Sequence, residues 1–150
     1  THLKQLQAIF QNINGSAGIT NFEHFKNHVD FLNVKSFKGS TLGSMNLQWP
    51  DKWQGPYAVK NPTIQEKYYQ IVQNGTRYFL MPGDGVTLPN GKIMGEDIKL
   101  TESSDIPLLC ENKHELNYRG TALAIEIPTL STPLQKFKQE SEDDPYELLN

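Results

Sequence analysis

The densest group of chemically able side chains in this 150-residue chain is Trp49-Pro50-Asp51-Lys52-Trp53-Gln54-Gly55-Pro56-Tyr57. Trp49, Trp53 and Tyr57, so closely spaced, could form a flat stacking platform for a glycan or a proline-rich peptide. The competing reading is that the same rings pin a long loop to the core. A second group, Asp84, Glu96 and Asp97 with Asp105 beyond, offers carboxylate oxygens of the kind calcium takes, although no EF-hand spacing accompanies them. Such side chains also cap turns and face water. Cys110 and His114 stand four apart, so a helix there would pair a thiolate with an imidazole and make a nucleophile. Cys110 follows Pro107-Leu108-Leu109, however, and a small buried thiol is the plainer outcome. His24 and His28 share that spacing and would lie on one helix face, yet Phe25 stands where a zincin needs its glutamate.

Other chemistries fail on spacing or charge. Five residues separate Gly85 from Gly91-Lys92, where a phosphate loop of the Walker kind has four, and Ile93 replaces the magnesium-binding hydroxyl. Gly83-Asp84-Gly85 lacks the third glycine of a dinucleotide loop. Fourteen Lys and Arg stand against 17 Asp and Glu, a formal charge of −3, with no basic run, so nucleic acid is not an expected partner. Cys110 is the only cysteine, which excludes an intrachain disulfide. No apolar stretch reaches the roughly 18 residues of a membrane span, and no signal segment opens the chain. The opening residue Thr1 leads to the expectation of a processed protein whose preceding segment carries its localisation.

The elements that must position these groups can be read from periodicity. Leu3, Leu6, Ile9, Phe10 and Ile13 recur at helical spacing, and Asn14-Gly15-Ser16 is the expected stop. Thr20 with Glu23, followed by Phe22, Phe25, Val29 and Leu32, predicts a second helix, so residues 1–33 form either a helical hairpin or one broken helix. Residues 34–54 read as a long loop. Asn61-Pro62 then announces a third helix through Ile64, Tyr68, Ile71 and Val72, stopped by Gly75. From there the period changes. Arg77–Met81, Val86–Leu88 and Ile93-Met94 read as strands around Pro82–Gly85 and Pro89–Lys92 turns, and Thr121–Ile127 as a strand with Leu123, Ile125 and Ile127 on one face. Helices followed by strands predict an α+β fold, helix or helices packed on a small antiparallel sheet with long loops. Residues 1–132 form one globular domain, and residues 133–150, with the acidic run Glu140–Glu147, a solvated tail. The Asn14 and Asn74 glycosylation tripeptides serve best as turn markers.

At Asp51–Tyr57 the sequence resembles the pseudopilins of type II secretion and related type IV pilin-like proteins. Their soluble domain carries Asp-Pro-Trp-Gly-x-Pro-Tyr between helix and sheet. Asp51, Trp53, Pro56 and Tyr57 match in type and spacing, while Lys52 and Gln54 replace a proline and a glycine. The order of an amphipathic helix, a variable loop, the aromatic segment and a hairpin-rich end is also similar over residues 1–127. The resemblance implies a pilin-like fold and a non-enzymatic subunit of a secretion or pilus-type filament. It further implies pilin-like and secretion-system partners, and anchorage in the inner membrane, facing the periplasm or cell surface, through an N-terminal helix absent from this chain. Family members often bind calcium in a loop near the sheet, and Asp84, Glu96 and Asp97 are the nearest candidates by position. Two alternatives remain from the residues themselves: an extracytoplasmic binding module built on Trp49, Trp53 and Tyr57, and a small cysteine hydrolase using Cys110 and His114.

Overall fold

The computed structural model describes residues 2–35 and 44–131 and is α+β. A single long helix, α1 (His2–Ala17), opens the fold. Leu6, Phe10, Ile13 and Ala17, four, three and four apart, make its buried stripe. Gly15 does not stop it. The chain passes through Gly15 with open space where a side chain would be, and turns at Gly18, whose φ of +72° is the left-handed conformation that ends helices. Asn14 still marks the end, because its Oδ1 accepts the N–H of Ile19 at 2.9 Å just past the last turn.

The predicted second helix is instead two strands, β1 (Ile19–Phe22) and β2 (Lys26–His28). Its apparent stripe never shared a face: Phe22, Val29 and Leu32 bury on the helix side of the sheet, while Phe25 packs on the opposite side. Among its described residues, the loop predicted for 34–54 contains β3 (Met45–Leu47), which pairs with β1, and a 3-10 turn, Pro50–Lys52. The third predicted helix is also strand, β4 (Thr63–Ile64) and β5 (Lys67–Asn74), joined by a tight turn at Gln65 and Glu66. Asn61 does not cap a helix; its Oδ1 accepts the N–H of Leu32 at 2.8 Å.

The main sheet runs β2, β5, β6 (Arg77–Pro82), β9 (Ile125–Ile127), all antiparallel, with β4 alongside β5. Between β6 and β9 lie a short helix α2 (Ile106–Leu109) and the ribbon of β7 (Asn117–Tyr118) and β8 (Thr121–Ala122). The predicted strand at 121–127 is therefore two pieces. Its break at Leu123 and Ala124 sends those residues to the face opposite Ile127.

Both faces of this sheet are covered, which explains the mistaken periods. Tyr69, Ile71, Tyr78, Leu80 and Ile127 face α1 and its neighbours. Val72, Phe79 and Met81 face a layer built from residues 86–124, among them Val86, Leu88, Met94, Ile98, Ile106 and Leu116. A strand apolar on both sides loses the alternation that identifies it, and Ile64, Tyr68, Ile71 and Val72 then fit a helical template by accident.

Candidate functional site

The aromatic segment begins where α1 ends. The last carbonyls of a helix have no partner within it. Here Trp49 N donates to Ala17 O at 2.8 Å, and Gln48 N to Gly18 O at 2.7 Å. The Trp49 indole lies over Gly18, where an added Cβ would stand 2.8 Å from Trp49 Cζ3 and 3.1 Å from Leu130 Cδ1. Leu130 is held there by its own N–H on Ile19 O. Trp49 and Leu130, each 47% exposed, thus form an apolar pair over the end of α1.

From Trp49 the chain runs back along α1. Trp53 is buried, its Nε1 donating to Val34 O at 2.9 Å, and Gly55 passes so close that a side chain would collide with the indole. Tyr57 packs edge-on against Trp53, with centroids 4.8 Å apart and planes at 78°. Its N–H and that of Ala58 both donate to Leu32 O, and its hydroxyl accepts from Gln54 N at 3.3 Å. Asp51 and Pro56 are exposed. The segment therefore ties the end of α1 to residues 32–34. It does not present Trp49, Trp53 and Tyr57 as one flat platform, because Trp53 belongs to the core and stands nearly perpendicular to Tyr57.

The calcium candidates do not converge. Asp84 accepts from Lys26 Nζ at 3.1 Å and from Gln70 Nε2 at 3.2 Å, so a cation of the chain itself already sits on it. Asp97 Oδ2 accepts the N–H of Ile93 at 2.9 Å and closes a turn, while Glu96 is exposed. Among the described residues, no three His, Cys, Asp or Glu side chains come together as a metal site. His24 lies in the bend before β2 and His28 in the strand, edge-on to Tyr68, so the helix face proposed for them is not formed.

Cys110 and His114 are not on one helix, since α2 ends at Leu109 and His114 closes a separate turn on Glu111 O. The thiol points to Ala124 O at 3.8 Å, and burial pushes its pKa up to about 11. It is therefore protonated near neutral pH, the opposite of what a nucleophile needs.

No family model, curated protein or solved structure matches this chain. The functional reading stands on this geometry and on the residues of the aromatic segment.

Two features lay beyond the reach of the sequence. One is a cleft of about 290 Å³ between the first half of α1 and the segment after Tyr57, lined by Gln5, Leu6, Ile9, Ala58, Lys60 and Pro62. Its walls come from positions some fifty residues apart, and nothing local announces it. The other is a set of asparagine carboxamides that fasten loops to one another. Asn90 Nδ2 donates to Glu115 O and Asn117 O, Asn117 Nδ2 to Cys110 O, and Asn74 Nδ2 to Ser104 O. The Asn-Gly pairs at 74–75 and 90–91 signalled turns, but not the long-range partners, and Asn117 carried no signal at all.

Proposed function

We propose that this chain is the soluble domain of a non-enzymatic filament subunit of the pseudopilin kind, working in a secretion or pilus-type assembly outside the cytoplasm. The observation that carries this reading is the strip formed by α1 and the Asp51–Tyr57 segment. The helix docks its apolar stripe on an antiparallel sheet, Trp49 N ties the start of the segment to Ala17 O, and the matching Trp53 and Tyr57 tie its remainder to Val34 O and Leu32 O. A motif that builds a brace in this position has a structural task and needs no bound substrate. This reading calls for a membrane-anchoring helix N-terminal to α1; no helix among the described residues is long and apolar enough to cross a membrane.

The deciding experiment is to read the source gene upstream of Thr1. A run of about 20 apolar residues continuing into α1, preceded by a short basic leader, is expected. An ordinary cleaved signal peptide, or a start codon directly before Thr1, defeats the reading.

The binding-module alternative retains one specific observation, the half-exposed Trp49 ring. Titration with glycans or proline-rich peptides would then move its fluorescence, and Trp49→Phe would abolish that change. Trp53, buried, would be silent in the same titration.

A further inference from the structure

The cleft beside the first half of α1 has a floor and a rim of different chemistry. Leu6 is buried, with Ile9, Ala58 and Pro62 half-buried around it, and these give an aliphatic floor. Gln5, Lys60 and Thr63 are exposed and make a polar rim. Among the described residues no aromatic ring lines the hollow, so a sugar or flat heterocycle finds no face to stack on.

The charge of the site has one sign. Lys60 is the charged residue among those described in the wall, and the two segments that build the cleft, α1 and residues 55–64, contain Lys4 and Lys60 but no Asp or Glu. The acids that flank the second segment in the chain, Asp51 and Glu66, are each followed directly by a lysine, Lys52 and Lys67, and so bring no net negative charge. An anionic head is therefore favoured over a neutral or cationic one. Size sets the length of the body. A cavity of about 150 Å³ holds benzene, with its six carbons, so about 290 Å³ takes roughly ten to twelve.

We propose that this cleft binds one molecule of an aliphatic carboxylate of roughly ten carbons, its chain on Leu6, Ile9 and Pro62 and its head at the rim beside Lys60. None of the lining residues belongs to the matching Asp51–Tyr57 motif, so the site stands apart from the filament reading, and neither result decides the other.

Calorimetric titration with decanoate, kept below its micelle concentration, tests this. One-to-one binding with a Kd on the order of 0.1–1 mM is expected. The amides of Leu6, Ile9 and Ala58 should shift in two-dimensional NMR, and the Trp49 indole should not. Decyltrimethylammonium, with the same chain and the opposite charge, should bind at least about tenfold more weakly. Lys60→Glu, at an exposed position, should weaken decanoate binding about tenfold, and Ala58→Leu, which fills the hollow from its own wall, should abolish it. Circular dichroism checks the fold of both; should Ala58→Leu fail to fold, Lys60→Glu and the ammonium ligand decide. Titration without saturation, equal binding of the ammonium ligand, unchanged affinity in either folded variant, or shifts gathered at Trp49 and Leu130 overturns the site. So does recovery of the chain on vesicles of anionic phospholipid without binding of decanoate, which would mark a bilayer-facing surface instead.

Discussion

The two faces of the central sheet are held by different means. On one, α1 lays Leu6, Phe10, Ile13 and Ala17 against Tyr69, Ile71, Leu80 and Ile127, with Phe10 edge-on to Phe31 at 6.1 Å. On the other, a layer with little regular structure covers Val72, Phe79 and Met81, and its shape comes from the asparagine carboxamides and from the Arg77–Glu126 pair. In that pair Arg77 donates two hydrogen bonds, at 2.9 and 2.6 Å, to the buried Glu126 carboxylate and lies over the Phe79 ring. The helix side is stabilised by area, the loop side by direction. A face built on area tolerates small shifts but loses heavily when volume is removed. A face built on directed hydrogen bonds is sensitive to single polar atoms.

The largest effect is therefore expected from Phe10→Ala, which empties a fully buried position on the helix side. It should cost about 3–5 kcal/mol in urea denaturation. A loss of under about 1 kcal/mol would mean that α1 is not needed to close that face. Next is Gly18→Ala, which forces a side chain into a positive φ and into the Trp49 ring. A cost of about 1–3 kcal/mol is expected, with a change in tryptophan fluorescence as the ring is displaced. On the loop side, Asn90→Asp puts carboxylate oxygens where N–H groups now meet Glu115 O and Asn117 O at 2.8 and 3.2 Å. About 1–3 kcal/mol should be lost. Hydrogen exchange should quicken around residues 115–123 while amides of α1 stay protected; equal loosening of both sides would abolish the distinction between them.

How much of this was legible in the sequence follows from the same contrast. The stripe of α1 was readable because one face of a helix against one sheet leaves the 3.6-residue period intact, and only its end was misplaced, at Gly15 instead of Gly18. β6 and the Pro89–Lys92 turn were readable for similar local reasons: Leu88 N meets Lys92 O at 2.7 Å, and Asn90 Oδ1 accepts from Lys92 N. β5 was not, because a doubly covered sheet puts Ile71 and Val72 on opposite sides and erases alternation, and β2, Lys26-Asn27-His28 at the end of the sheet, has no apolar residue to alternate. The aromatic segment was legible as a unit, yet its sequence could not tell Trp53, inside, from Trp49, half outside. That division is set by Gly18, Val34 and Leu130, none of them near in the chain. The acidic run Glu140–Glu147, Pro133 and the Gly39–Gly43 stretch lie outside the described residues.

The smallest effect sharpens the loop side further. Cys110 sits beneath the layer packed on Leu116 and Ala124, and burial raises its thiol from 9.0 to about 11. The folded chain therefore binds this proton more tightly than the unfolded one. Its contribution to stability is fully present below about pH 9 and is lost as pH climbs through about 11, because only the unfolded state releases the proton easily in that window. Cys110→Ala should flatten this alkaline decline slightly, leaving the part due to other groups, including the buried Tyr69 phenol, which desolvation also pushes up. Alkylation gives the cleaner readout. In the native chain Cys110 should react with iodoacetamide far more slowly at pH 8 than in urea, and Asn117→Ala, which frees Cys110 O from its carboxamide partner, should speed it. Rapid native alkylation at pH 8 would show that the loop layer opens readily, and the two faces would then differ in mobility as well as in the forces that hold them.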